Sequence, residues 1–172
     1  MDINFIPLCE SHLSLLLKWL NAPHVKAWWD PHTSWTPQSI SEKYSSYIKG
    51  YKLVNGLPKP IHAYLITIEN SPVGYIQVYS AYDFPRDHPL KRLPSSLGAF
   101  DIFIGEKKSL GKGIGSQAII QLFQEIPFDF DYIFADPDRH NLAAIKAYEK
   151  AGLRLAQEQG DIGVVLMLKT LR

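Results

Sequence analysis

Residues Leu97 to Ile119, LGAFDIFIGEKKSLGKGIGSQAI, join an apolar strand-like run to three glycines within five positions, and then to the start of an apolar helical run. Few folds accommodate a strand that turns on bare backbone directly into a helix. A helix start exposes unpaired N–H groups and the positive end of the helix dipole, and glycine lets an anion approach both. Such a junction is a phosphate cradle in principle. Spacing excludes two nucleotide versions of it. In a G-x-G-x-x-G fingerprint begun at Gly111 the sixth position is Ser116, and a Walker A loop fails because five residues separate Gly105 from Gly111 and Gly113 occupies the Ser/Thr place.

The rest of the chain alternates elements around this junction. INFIPL reads as a short strand, and Leu13, Leu16, Leu17 and Leu20 fall on one helical face. Pro23 opens a short helical turn, and Thr36 and Pro37 supply an N-cap and a first helical position for WTPQSISEKYSSYIKGY, which stops near Gly50. From Ile61 the pattern changes: IHAYLITIEN and VGYIQVYSAY, separated by a turn, predict a β-hairpin. A loop rich in proline leads to LGAFDIFIG. Beyond the glycines come a helix (IGSQAIIQLFQEI), a strand (FDYIFADP), a helix ended by Gly152 and a last strand (GVVLMLKTL). The expected architecture is one α/β (α+β) domain spanning residues 1–172, with a mixed sheet of about six to seven strands and helices on both faces.

Composition narrows the function classes. The 172 residues include 46% hydrophobic and 20% charged side chains, an ordinary globular balance. A net charge of +1 gives no basic footprint for nucleic acid, and the longest aliphatic run, Leu13 to Leu20, is too short to cross a bilayer. MDINF lacks the basic start of a secretory signal, so a cytoplasmic protein is expected. Cys9 is the single cysteine, and the six histidines show no metal-binding spacing. A small-molecule partner, with no nucleic acid, membrane or metal, is the expectation, for a monomer or homodimer.

With LGKGIGSQAI after a strand and DPDRHNLAAIKAYEKAGL before the last one, the chain resembles the Gcn5-related N-acetyltransferase (GNAT) superfamily. The resemblance implies a sheet with splayed central strands and acetyl-CoA as acetyl donor. The family's Arg/Gln-x-x-Gly-x-Gly/Ala motif falls on Leu110 to Gly115, with Gly113 and Gly115 in place and Leu110 lacking the polar head. It implies a pyrophosphate held at Leu110, Gly111, Lys112, Gly113, Ile114, Gly115 and Ser116, with Lys107 and Lys108 adding charge. Backbone groups of Ile102, Phe103 and Ile104 would receive the pantetheine amides, with Asn141 and Ala144 on the other side of the arm.

WLNAPHVKAWW, GYIQVY, the Asp of GAFDIFIG and DPDRHNLAAIKAYEKAG together resemble the aminoglycoside 6'-N-acetyltransferases more narrowly. Siderophore-acylating members share a W-x-N-x-P-x-V/I-x-x-W opening of the same kind. An unpaired carboxylate inside an apolar strand is costly, so Asp101 needs a partner. The resemblance makes that partner the substrate ammonium, with Asp101 as base or anchor, and makes Tyr148 the general acid toward the thiolate. It also implies that Asp136 faces substrate, while Trp28, Trp29 and Tyr79 can form an aromatic wall. The loop YDFPRDHPLKR departs from an acidic acceptor loop, since it carries Arg86, Lys91 and Arg92 against Asp83 and Asp87. Alternatives to an aminoglycoside acceptor are another amine or hydroxylamine, such as a siderophore precursor, or an acetyl-CoA-binding module without catalysis.

Overall fold

Local signals in the first third translate directly into elements. The computed structural model describes residues 1–156 and 163–172. Strand β1 (Ile3–Pro7) leads through a 3-10 turn, Glu10–His12, into α1 (Leu13–Leu20), and Pro23 begins the single turn α2 (Pro23–Lys26). At α3 (Pro37–Ile48) Thr36 is extended and its side chain accepts the Ser39 N–H at 3.1 Å, while Ser39 Oγ accepts the Thr36 N–H at 2.9 Å. This reciprocal cap satisfies two donors that a helix start otherwise leaves open.

A β2 (Tyr51–Val54) arm then folds back on β3 (Leu57–Ile68) through Asn55 and Gly56, both at positive φ (51° and 78°), as a tight hairpin turn requires. Pro58 and Pro60 lie at the start of β3, where β2 is the only neighbouring strand. Strands β4 (Ser71–Ser80) and β5 (Leu97–Ile104) extend the antiparallel ladder. Then come α4 (Ile114–Glu125), β6 (Tyr132–Ala135), α5 (Leu142–Lys150), a two-residue β7 (Arg154–Leu155) and β8 (Met167–Thr170). The sheet has eight strands in the order β1-β3-β4-β5-β6-β8-β7, with β2 paired to β3. The expected six to seven omitted β2 and β7, both too short to carry a periodic signal.

Alternation along β4 and β5 divides the core in two. Tyr75, Ala99 and Phe103 pack with Leu16, Trp19, Leu20, Ile40 and Tyr44 of α1 and α3 on one face. Ile76, Val78 and Phe100 pack with Ile114, Ala118, Leu122 and Tyr148 of α4 and α5 on the other. At about 25 cal/mol per Å² of apolar area, burial of this kind on both faces is the main force holding the helices to the sheet. The functional consequence lies in the middle. Strands β5 and β6 run parallel and pair only from Leu97↔Tyr132 to Ala99↔Phe134, whereas β5 continues to Ile104. Beyond Ala99 the sheet therefore splits, and β5 carries an open edge into the gap.

Candidate active site

The split holds a cleft of about 650 Å³, lined by Phe100 to Ile104 of β5, the glycine turn, and the start and inner face of α5. Gly111 and Gly113 have φ values of 72° and 76°, the left-handed region in which side chains are strained. Gly113 is also the N-cap of α4, and the first helical N–H to find a backbone partner is that of Gln117, which reaches Gly113 O at 3.1 Å. Gly115 differs in having no positive φ; a Cβ there, as at Gly111 and Gly113, would meet nothing within 4 Å, so a side chain would take open space without backbone strain. Bare backbone, free N–H groups and the helix dipole make this turn fit a pyrophosphate.

Ile102, Phe103, Ile104, Leu110, Gly111, Gly113, Ile114, Gly115, Ser116, Asn141, Ala144 and Tyr148 all line this cleft, together with Trp28, Trp29, Asp101 and Asp136. Some of their groups are already engaged. The Leu110 N–H donates to Lys107 O at 3.2 Å, so Leu110 offers the cleft its exposed side chain. The Ile104 carbonyl faces His24 Nε2 at 3.1 Å, and Phe103, expected to offer its backbone, turns it toward Tyr75 of β4 because backbone groups alternate sides along a strand, which leaves Ile102 as the freer backbone of the open edge. Asn141 caps α5 by accepting the Ala144 N–H at 3.2 Å, and its side-chain NH₂ is the group left to donate. Lys108 and Lys112 are exposed and stand outside the lining.

A second cleft, about 300 Å³, opens on the α1–α3 face between Tyr47, Lys52, Ile61, Gln77, Tyr79 and Phe84. Trp28, Trp29 and Asp101 line both clefts. Trp28 is half exposed, whereas Trp29 is anchored edge-on against Phe103 (5.0 Å) and Tyr75 (6.0 Å). Tyr79 belongs to the second cleft alone.

Asp101 therefore sits where the two clefts meet, and its environment is built across the β4–β5 ladder. Gln77 is its direct cross-strand partner and donates Nε2–H to Oδ2 at 2.7 Å. Tyr79 donates its hydroxyl to the same oxygen at 2.9 Å, and Tyr75 donates to Gln77 Oε1 at 2.8 Å, which fixes the amide's orientation. Burial pushes the Asp101 carboxyl above the usual carboxylate range, aided by Asp136 and opposed by the Gln77 and Tyr79 hydrogen bonds and by Arg86. A carboxylate of raised basicity between two clefts is suited to take a proton. Tyr148, packed edge-on against Phe100 at 5.3 Å, has its phenol held well above the usual tyrosine range by burial and by the Asp101 and Asp136 charges. It therefore keeps its proton at neutral pH.

The basic loop behaves differently from the sequence expectation. Arg86 turns inward, its side chain only 11% exposed, and pairs with Asp136, whose Oδ2 also contacts His88 Nε2 at 2.9 Å. Arg86 further donates to Tyr79 Oη at 3.3 Å, and Asp83 pairs with Lys59 at 3.0 Å. Asp136, expected to face the acceptor, instead lines the larger cleft and holds this cation. Lys91 and Arg92 are exposed. Sequence reasoning had not assigned roles to Gln77, Lys52 or His88; a glutamine between two tyrosines on the inward phase of a strand was the available signal for the first.

Comparisons agree with this geometry. Residues 9–160 match the family model for the acetyltransferase (GNAT) domain. Aminoglycoside N(6')-acetyltransferase type 1 of Klebsiella pneumoniae is 27% identical over 159 residues, covering 90% of this chain and 74% of that protein. The structure of AAC(6')-Ib with paromomycin and acetyl-CoA superposes with a TM-score of 0.79 at 26% identity, covering 99% of this chain and 94% of that one. AAC(6')-Ib with coenzyme A and kanamycin gives 0.77 at 25% identity, covering 98% and 95%. The split sheet, the glycine turn and the match over most of the chain place this protein in the GNAT acetyltransferase family.

Proposed function

We propose that the protein transfers the acetyl group of acetyl-CoA to a primary amine, the 6'-amine of an aminoglycoside, by direct attack within a ternary complex. The observation that carries this reading is the position of Asp101 on the shared wall of the two clefts. The larger cleft takes the donor, with its pyrophosphate on the Gly111–Gly115 backbone and its pantetheine along the open edge at Ile102. The smaller cleft takes the acceptor beside Trp28, Trp29 and Tyr79. Relatives acting on aminoglycosides support the choice of acceptor.

In this scheme Asp101 receives the ammonium, and its raised basicity favours taking one proton from it, which frees the lone pair that attacks the thioester carbonyl carbon. The C–N bond forms and the C–S bond breaks. Tyr148 donates a hydrogen bond to the departing sulfur; the second proton, lost by nitrogen as the amide forms, balances the one gained by the thiol, and the first passes from Asp101 to solvent. Mixing protein, acetyl-CoA and kanamycin tests the reading: free CoA thiol should appear together with acetylated kanamycin. Silence with aminoglycosides but turnover of another amine would keep the acetyl transfer and remove the acceptor assignment.

A further inference from the structure

The smaller cleft carries two aspartates and two lysines, Asp30, Asp101, Lys43 and Lys52, so its formal charges cancel. Their partners are unequal. Lys43 pairs with Asp30 at 2.9 Å, while Asp101 is held by the neutral donors Gln77 and Tyr79. Lys52, half-buried on β2, has no hydrogen bond or ion pair among the described residues; its ammonium lies over the Phe84 ring, 5.4 Å from the centroid. Burial and the neighbouring Lys43 hold its pKa below the ordinary lysine value, outweighing the opposing charges of Asp101 and Asp30.

A carboxylate held by neutral donors and an ammonium without an ion pair among the described residues, both lining one small cleft, are complementary to a molecule with both charges in the opposite arrangement. We propose that this cleft accepts amines that carry a carboxylate, of the ω-amino acid type, with Lys52 holding the carboxylate while Asp101 holds the amine. A carboxylate suits a single ammonium, whereas phosphate sites generally gather several backbone N–H donors. A polycation gains from Asp101 but meets Lys52, so Lys52 sets acceptor preference in both directions. The inference rests on the reading that Asp101 receives the acceptor amine.

The test compares β-alanine, γ-aminobutyrate and ε-aminocaproate with the alkylamines of equal carbon count, beside kanamycin, following thiol release from acetyl-CoA. The best amino acid should exceed its matched alkylamine in kcat/KM by about tenfold or more, equivalent to about 1.4 kcal/mol. Lys52→Gln should bring that ratio close to one, Lys52→Arg should preserve it, and Lys52→Glu should reverse it and favour kanamycin. A ratio of one in the parent protein, or a ratio that survives Lys52→Gln, overturns the proposal. Kanamycin turnover without any amino acid preference overturns this proposal alone; no turnover of any amine while acetyl-CoA binds overturns both this and the acetyl-transfer reading.

Discussion

Gln77 lies opposite Asp101 in the β4–β5 ladder and donates to its carboxylate at 2.7 Å, so a neighbour on another strand offsets part of the effect of burial on the central group. Gln77→Leu removes a donor that favours the ionised form. The Asp101 pKa should then rise further, and the acidic limb of the kcat/KM profile should move to higher pH. A pH–rate comparison of the two proteins measures this, and an unmoved limb would separate Gln77 from the titration.

Asp101→Asn should lower turnover about 10²- to 10⁴-fold, the range for loss of a positioned base, while acetyl-CoA still binds. Its stability should change in the opposite sense. Because the folded-state pKa of Asp101 is raised, the stability this carboxyl contributes is fully present below the unfolded-state value of about 4 and is lost as pH rises through the folded value. Thermal unfolding at neutral pH should show the variant at least as stable as the parent, with the difference closing in acid.

Gly115→Ala separates folding from donor binding. The new methyl group enters open space within a helix, so stability should hold or rise by about 0.5 kcal/mol. Acetyl-CoA affinity measured by calorimetry should fall about tenfold, because the methyl stands where the pyrophosphate approaches the backbone. Unchanged affinity would move the phosphates away from this turn.

Arg86→Leu strands the Asp136 carboxylate with His88 alone and should cost about 3 kcal/mol in denaturant unfolding. Adding Asp136→Asn should recover much of that loss, since the double variant no longer buries an unmatched charge. Additive losses would show that the pair contributes little.

Most of the fold was legible where a local signal coincides with a tertiary role. Thr36 and Pro37 start α3 through backbone geometry, and the alternation of VGYIQVYS survives because one phase meets each core. Gly111 and Gly113 were legible for the same reason, as positive φ is a local demand. The β2 arm was missed although Asn55-Gly56 is a hairpin signal, because Pro58 and Pro60 argue against a strand unless its first residues have a neighbour on one side only. The pairing of Arg86 and His88 with Asp136 joins residues about fifty apart in sequence, and no local pattern records whether a loop arginine turns inward. Lys52 gave no signal either, since what distinguishes it is its half-buried place in the smaller cleft without a hydrogen bond or ion pair among the described residues.

The most direct measurement of the central claim is thiol release from acetyl-CoA in the presence of kanamycin and the wider amine panel, with the parent protein and Asp101→Asn side by side. The account requires that the parent release thiol in step with acetylated amine and that Asp101→Asn bind acetyl-CoA with little release. Equal release by the two proteins, or none from a parent that binds acetyl-CoA, would contradict it.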